Sequence, residues 1–292
     1  MAQRNEVALG DPVQEYFLPD RVKLPTYEGS LITLPDLATH TSGLPFRPYN
    51  LVSKDPHNQY AGYTVDDLYA FLSACKLNRA SGSHYEYSNV GFGLLGLALS
   101  RRANMDYEDL LRTRITAPLG MQDTRIRSTG DMQRREAVPY DYELKPAQHS
   151  NMVGALESAG ALRSTANDLL KLLDAFLGFR KSQLSPAMSA MTVIRRPGGM
   201  KPATAIALAW NIYDDGAREI VWKNGNVDGY RAFVGYDAKA RLGVVALANA
   251  QTAEGADDIG LHLLDPALPV NLLVTRPHDK IAAPGTRPAP IR

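Results

Sequence analysis

No stretch of this chain narrows its folding options more than Gly82-Ser83-His84-Tyr85-Glu86-Tyr87-Ser88-Asn89, which runs straight into the apolar segment Val90 to Leu99. A helix apolar on nearly every side has to be buried. Ser88 or Asn89 at its entrance is suited to capping the first N–H groups, which have no partner within the helix. The phenol, hydroxyl and carboxamide of Tyr87, Ser88 and Asn89 are therefore expected on a rigid, buried support, where reactive groups are best held in place. A plainer reading makes Tyr87 a half-buried aromatic and Ser88-Asn89 a cap and nothing more.

Charge narrows the partners. Thirty-two Lys and Arg stand against thirty-one Asp and Glu, a net charge of +1, with no basic block or stripe. Neither nucleic acid nor an anionic membrane surface is then an expected partner, and a small-molecule or peptide substrate is. Cys75 is the one cysteine, which rules out an internal disulfide and leaves no cysteine cluster, so neither metal nor cofactor is expected. No apolar run approaches the roughly 20 residues of a membrane helix, and Met1 to Glu6 lead into no signal-peptide core. The compartment stays unassigned. At 292 residues and 45% hydrophobic content, the chain suffices for one large domain or two interleaved ones.

Local signals place the remaining elements. Val7 to Pro19 resembles the interior of a domain, with a short helical turn begun at Asp11-Pro12. Thr33 with Asp36 caps a helix from Leu34-Pro35 that Ser42-Gly43 and Pro45 stop, and His40 in its last turn is expected to bond carbonyls there. Thr64 with Asp67 forms a capping box for a helix through Leu77, with Val65, Leu68, Leu72 and Cys75 on one face. Inside it, Ser73-Ala74-Cys75-Lys76 has the Ser-x-x-Lys spacing by which a lysine one turn on takes a proton from a serine nucleophile. Its mid-helix position, away from any helix N-terminus, argues for coincidence. A helix begins at Tyr107, and a long polar passage from Met121 to Asn151 has no clean period. Ser164 or Thr165 with Asp168 caps a helix from Leu169 to Leu177.

After Ala203 the period changes to that of strands. Ala205 to Tyr213, Glu219 to Lys223, Tyr230 to Tyr236 and Leu242 to Ala248 are expected as antiparallel strands, the last two joined by a hairpin at Asp237 to Ala240. Glu254 to Leu264 closes as a helix, and a Pro-rich tail follows. The division expected is a mainly helical region, 1–200; strands and closing helix, 201–265; and the tail, 266–292.

Four blocks in this order carry a resemblance. They are Leu31 to Pro45 with its His-Thr-Ser-Gly-Leu-Pro, the Tyr-x-Asn of Tyr87 to Asn89, the turn Ala159 to Thr165, and Lys223-Asn224-Gly225. Together they are similar to the serine β-lactamase and penicillin-binding superfamily, in its class C β-lactamase, family VIII esterase and D-aminopeptidase-like branch. The resemblance implies an α/β (α+β) β-lactamase/transpeptidase-like fold, an antiparallel sheet flanked by helices, and a mainly helical region. It also implies acyl transfer to and from β-lactam, ester or D-amino peptide carbonyls. By it Tyr87 is the general acid/base, Lys223 the cation of the pocket, Asn89 and Asn224 substrate-binding, and Gly225 the point where substrate approaches the strand. Lys223 has a reason of its own, since a cation beside a phenol lowers the phenol's pKa and attracts a carboxylate.

The resemblance also implies a Ser-x-x-Lys nucleophile upstream of Val7 to Pro19, together with N-terminal strands. Both are expected to be absent from this chain. Three readings follow: a shortened hydrolase of weak or no activity; a binding or scaffold protein, as a homo-oligomer whose neighbour completes the sheet edge; or an active hydrolase using Ser73 with Lys76, Ser42 or Ser88.

Overall fold

The structure is a computed structural model that describes residues 1–270 other than 54, 56, 57, 150, 151, 153, 228 and 253–255. The expected tail beyond residue 270 and the first residues of the closing helix lie outside the described residues.

Short-range capping decides where the helices start. After the single turn α1 (Val13–Tyr16), α2 (Leu34–Ala38) opens with Asp36 accepting from both the backbone N–H and the hydroxyl of Thr33, at 2.8 and 2.7 Å. It ends earlier than its Ser-Gly-Pro stop signal, because the backbone at His40 turns left-handed, φ 54°. In α3 (Val65–Ala74) the Thr64 hydroxyl accepts from the Asp67 N–H, and Leu68 and Leu72 are buried. Val65 is exposed and Cys75 half-buried, so the expected four-residue stripe is only two residues deep.

The central helix α4 (Asn89–Ala103) is capped by Ser88, whose Oγ accepts from the Gly91 N–H at 2.8 Å. It is buried through Val90, Leu94 and Ala98 in one apolar core with α2 and α3. A Cβ at Gly93 would stand 2.3 Å from Leu156 Cδ2, and one at Gly96 2.2 Å from Ser158 Oγ, so residues 155–158 lie directly on the helix backbone. Next come α5 (Tyr107–Leu111) and α6 (Gly130–Arg135), the latter the one α-helix inside the long polar passage among the described residues. Then follow α7 (Ala166–Phe176), with the Thr165 hydroxyl accepting from the Asp168 N–H, and α8 (Ser185–Ala190).

Six antiparallel strands form one sheet in sequence order: β1 (Arg196–Pro197), β2 (Ala205–Ile206), β3 (Asn211–Asp214), β4 (Glu219–Val227), β5 (Tyr230–Asp237) and β6 (Leu242–Ala248). The strand expected over Ala205 to Tyr213 is in fact two. The chain turns at Ala209, φ 70°, whose N–H donates to Ala38 O in α2, while Ala207 N–H donates to Trp210 O. The run Ala-Leu-Ala-Trp contains no turn-forming residue, and a tertiary contact with α2 sets the turn instead. β4 is longer than expected and continues through Lys223, Asn224 and Gly225 to Val227.

Helices cover both faces of the sheet. Leu173 and Leu177, in and just after α7, pack with Trp210, Ile212, Val221 and Tyr236, while α9 (Asp257–Leu264) packs with Ile220, Trp222 and Phe233. Strand alternation assigns these residues to their faces. β6 pairs with β5 alone among the described residues, and Leu242 and Leu247 along it are exposed. Arg196 of β1 joins the helical region to the sheet through Asp36, at 2.6 Å.

Candidate functional site

The loop Gly82 to Tyr87 is hung from the segment that follows α2. Gly82 N–H donates to Thr41 O and Glu86 N–H to His40 O, at 2.8 and 2.7 Å. His40 does not bond the carbonyls of its own helix as expected. Its Nδ1 accepts from the Ser88 N–H at 3.0 Å, which leaves the proton of the neutral ring on Nε2, buried and without a hydrogen bond. Burial first, then the nearby Lys223, pull its pKa down to about 3. The ring is therefore neutral at ordinary pH. It stacks on Tyr87 at 4.2 Å between centroids and lies 4.5 Å from Phe92.

Lys223 comes from the opposite side, out of the sheet. Its Nζ stands 5.0 Å from the centre of the Tyr87 ring and 5.9 Å from that of Phe92, within the range of a cation–π contact. Lys223 keeps some accessible surface, yet it lies deep among protein atoms, and burial pulls its pKa down to about 8 against an opposing pull from Asp257. Tyr87 is shifted the other way, upward, by burial and by the neighbouring Tyr60. The phenol is protonated and the amine is close to its midpoint. Two residues 136 positions apart in sequence are thus brought within cation–π distance of each other.

Asn89, the first residue of α4, is buried and donates from Nδ2 to the Tyr60 hydroxyl at 3.1 Å. Asn224 lies elsewhere. Strand alternation turns it to the face opposite Lys223, where its Nδ2 donates to Asp257 Oδ2 at 2.5 Å. Gly225 returns to the face of Lys223. It is exposed, and a Cβ there would meet nothing closer than the Ala232 Cβ at 3.8 Å. Beside it, the edge of β4 that faces β3 has no strand partner beyond Trp222 among the described residues.

The serines considered as nucleophiles are engaged in structural bonds. Ser73 lies on the exposed side of α3, its Oγ accepting from the Lys23 N–H, and the helix ends at Ala74, so Lys76 does not follow one helical turn on. The Ser88 hydroxyl donates to Pro45 O and accepts from Gly91. Ser42 is 1% exposed in the core, with its Oγ accepting from the Leu44 N–H.

The sequence matches the Beta-lactamase family over residues 1–266. The chain belongs to the beta-lactamase family. It is 30% identical over 259 residues to the D-alanyl-D-alanine-carboxypeptidase/endopeptidase AmpH of Escherichia coli K12, covering 83% of this chain and 64% of that protein. The chain thus spans somewhat less than two thirds of that relative. Its fold superimposes with a TM-score of 0.78 and 25% identity on a beta-lactamase/D-alanine carboxypeptidase from Yersinia pestis complexed with citrate, covering 91% and 78% of the two chains. The octameric penicillin-binding protein homologue from Pyrococcus abyssi aligns with a TM-score of 0.74 at 23% identity, over 91% of this chain and 61% of that one.

For this beta-lactamase family chain, sequence reading had missed Tyr60 and Phe92 as neighbours of Tyr87. Tyr60 sits in a loop without period. Phe92 was visible only as one more apolar residue of α4, although its place three residues after Asn89 puts it on the same helical face.

Proposed function

We propose that Tyr87 and Lys223 form the proton-transfer and anion-binding parts of a serine acyl-transfer site for carbonyls of β-lactams, esters or D-alanyl-type peptides. The observation that carries this reading is the 5.0 Å approach of a lysine ammonium to the Tyr87 ring, with the lysine held near a pKa of about 8. A buried phenol that keeps its proton is suited to giving it to the leaving nitrogen or oxygen, and the phenolate so formed takes one back from the water that then attacks the acyl group. The Lys223 charge favours the phenolate that exists between those two steps and attracts a substrate carboxylate. The edge of β4 at Gly225, which has no strand partner among the described residues, offers backbone groups on which an extended substrate can lie.

In this reading the acylated serine is not among these residues, since Ser73, Ser42 and Ser88 are otherwise engaged. Intact-mass analysis after incubation with a fluorescent penicillin or a fluorophosphonate is expected to return unmodified chain, with p-nitrophenyl acetate turnover near background. A stoichiometric adduct abolished by Ser73→Ala would instead make Ser73 the nucleophile.

The outer edge of β6 has no strand partner over Leu242–Ala248 among the described residues, although Tyr140 bridges the chain just beyond it at Ala250, and this edge favours a second reading, in which copies of the chain associate through it. The octameric homologue from Pyrococcus abyssi is in keeping with it. Sedimentation velocity is expected to give a defined oligomer under that reading, and a well-behaved monomer at high concentration would contradict it.

A further inference from the structure

Two side chains beside Tyr87 have no part in the proton transfers: Phe46 and Arg47. Gly43, φ 80°, turns the chain after α2, and two successive carbonyls are then tied to the start of α4. Pro45 O accepts from the Ser88 hydroxyl at 2.8 Å and Phe46 O from the Asn89 N–H at 3.1 Å. The backbone is held in place while the side chains of Phe46 and Arg47 are exposed, Phe46 by 44%. An apolar ring fixed at the surface gives up its water favourably when an apolar group settles on it.

Both side chains belong to a row of rings. The Phe46 ring lies 5.9 Å from that of Tyr87, and the Arg47 guanidinium stands 5.1 Å from the centre of Phe46 and 6.0 Å from that of Tyr60. Lys223 meets the same row at Tyr87 and Phe92. Two cations thus attend it at different rings. Neighbouring arginines are occupied, Arg79 by Glu86 and Arg196 by Asp36, each at 2.6 Å. Arg47 pairs with no carboxylate among the described residues, and its contacts are the two aromatic rings. A guanidinium over a ring leaves the N–H groups of its rim in a planar fork that fits a carboxylate. The stacking also narrows the conformations the side chain must give up on binding.

We propose that Phe46 and Arg47 form a specificity subsite next to Tyr87, selecting substrates that carry a second carboxylate on an apolar or aromatic arm. This inference rests on the acyl-transfer reading of Tyr87 and Lys223. The first carboxylate goes to Lys223, the reacting carbonyl lies by the Tyr87 phenol, and the arm runs from the acyl side over Phe46 until its carboxylate meets Arg47. Neither residue moves a proton; the pair sets which acyl groups are held.

Calorimetric titration with three dipeptides tests this: acetyl-, phenylacetyl- and (4-carboxyphenyl)acetyl-D-alanyl-D-alanine. The carboxylated arm is expected to bind about three- to fivefold more tightly than the phenylacetyl one, an advantage that shrinks in high salt, disappears in Arg47→Gln and reverses in Arg47→Glu. In the parent chain the side-chain N–H signal of Arg47 should shift with the carboxylated ligand and not with the phenylacetyl one, so the contact is read even if a variant fails to fold. The subsite is overturned if the two aryl dipeptides bind the parent alike, if the preference survives in Arg47→Gln, or if the Arg47 signal does not move. The acetyl dipeptide separates this result from the underlying reading. If it binds and Lys223→Met weakens it while the aryl dipeptides show no preference, the subsite alone is refuted; if none of the three binds, both readings fail.

Discussion

Between pH 7 and pH 4.5 the chain is expected to lose about 2–3 kcal/mol of unfolding free energy through His40 alone. Unfolded, this imidazole takes up a proton near pH 6.5; folded, it does so only near pH 3, because the ring is 2% exposed and faces Lys223. Its pKa is depressed in the folded state, so the unfolded chain binds more protons throughout that window. The His40 contribution is therefore present in full above pH 6.5 and is lost as the pH falls toward 3. Urea denaturation of the parent and of His40→Asn at the two pH values isolates the effect. Asparagine tolerates the left-handed backbone at this position, carries an acceptor for the Ser88 N–H, and does not titrate. The parent should lose about 2–3 kcal/mol more than the variant on acidification. Equal losses would mean that His40 is not held neutral beneath Tyr87.

Asp36→Ala is expected to cost about 3–5 kcal/mol in the same assay at pH 7. The carboxylate is 4% exposed and performs two tasks. It accepts from Thr33 at the start of α2, and it pairs with Arg196 from the first strand of the sheet. Thr33→Ala removes only the cap and should cost about 1 kcal/mol. The difference between the two variants measures what it costs to leave the Arg196 guanidinium, 24% exposed and also bonded to the Thr41 hydroxyl, without its carboxylate. That ion pair ties α2 to β1 directly beneath the loop that carries Tyr87. If the two variants cost the same, the helical region and the sheet are not coupled through Asp36.

Features written in local chemistry were legible in the sequence. The caps at Thr33, Thr64, Ser88 and Thr165 depend on residues no more than three positions away; the first three start helices where expected, while the fourth starts its helix at Ala166, three residues before the expected Leu169. The strands β5 and β6 were equally plain, because their apolar residues fall on a period of two or in a continuous run. The break inside Ala205 to Asp214 was not, since a hydrogen bond to Ala38 sets it. Within the site, Tyr87 and Lys223 were singled out by resemblance, and a chemical reason for Lys223 stood beside it. Asn224 was placed with them, although its position next to Lys223 on a strand already turned it to the other face. The role expected of His40 was structural, but wrong in partner and in direction: instead of donating to carbonyls of its own helix, the ring accepts from the Ser88 N–H, 48 residues away.

The central claim is that the Lys223 ammonium and the Tyr87 phenol share one acyl-binding pocket, and its most direct test is heteronuclear NMR titration of the Lys223 side chain with and without acetyl-D-alanyl-D-alanine. A midpoint near 8 is expected in the unliganded chain, rising when the dipeptide carboxylate binds, with the response lost in Lys223→Met. A lysine that titrates near its ordinary value of about 10.4 and does not respond to the dipeptide would contradict it.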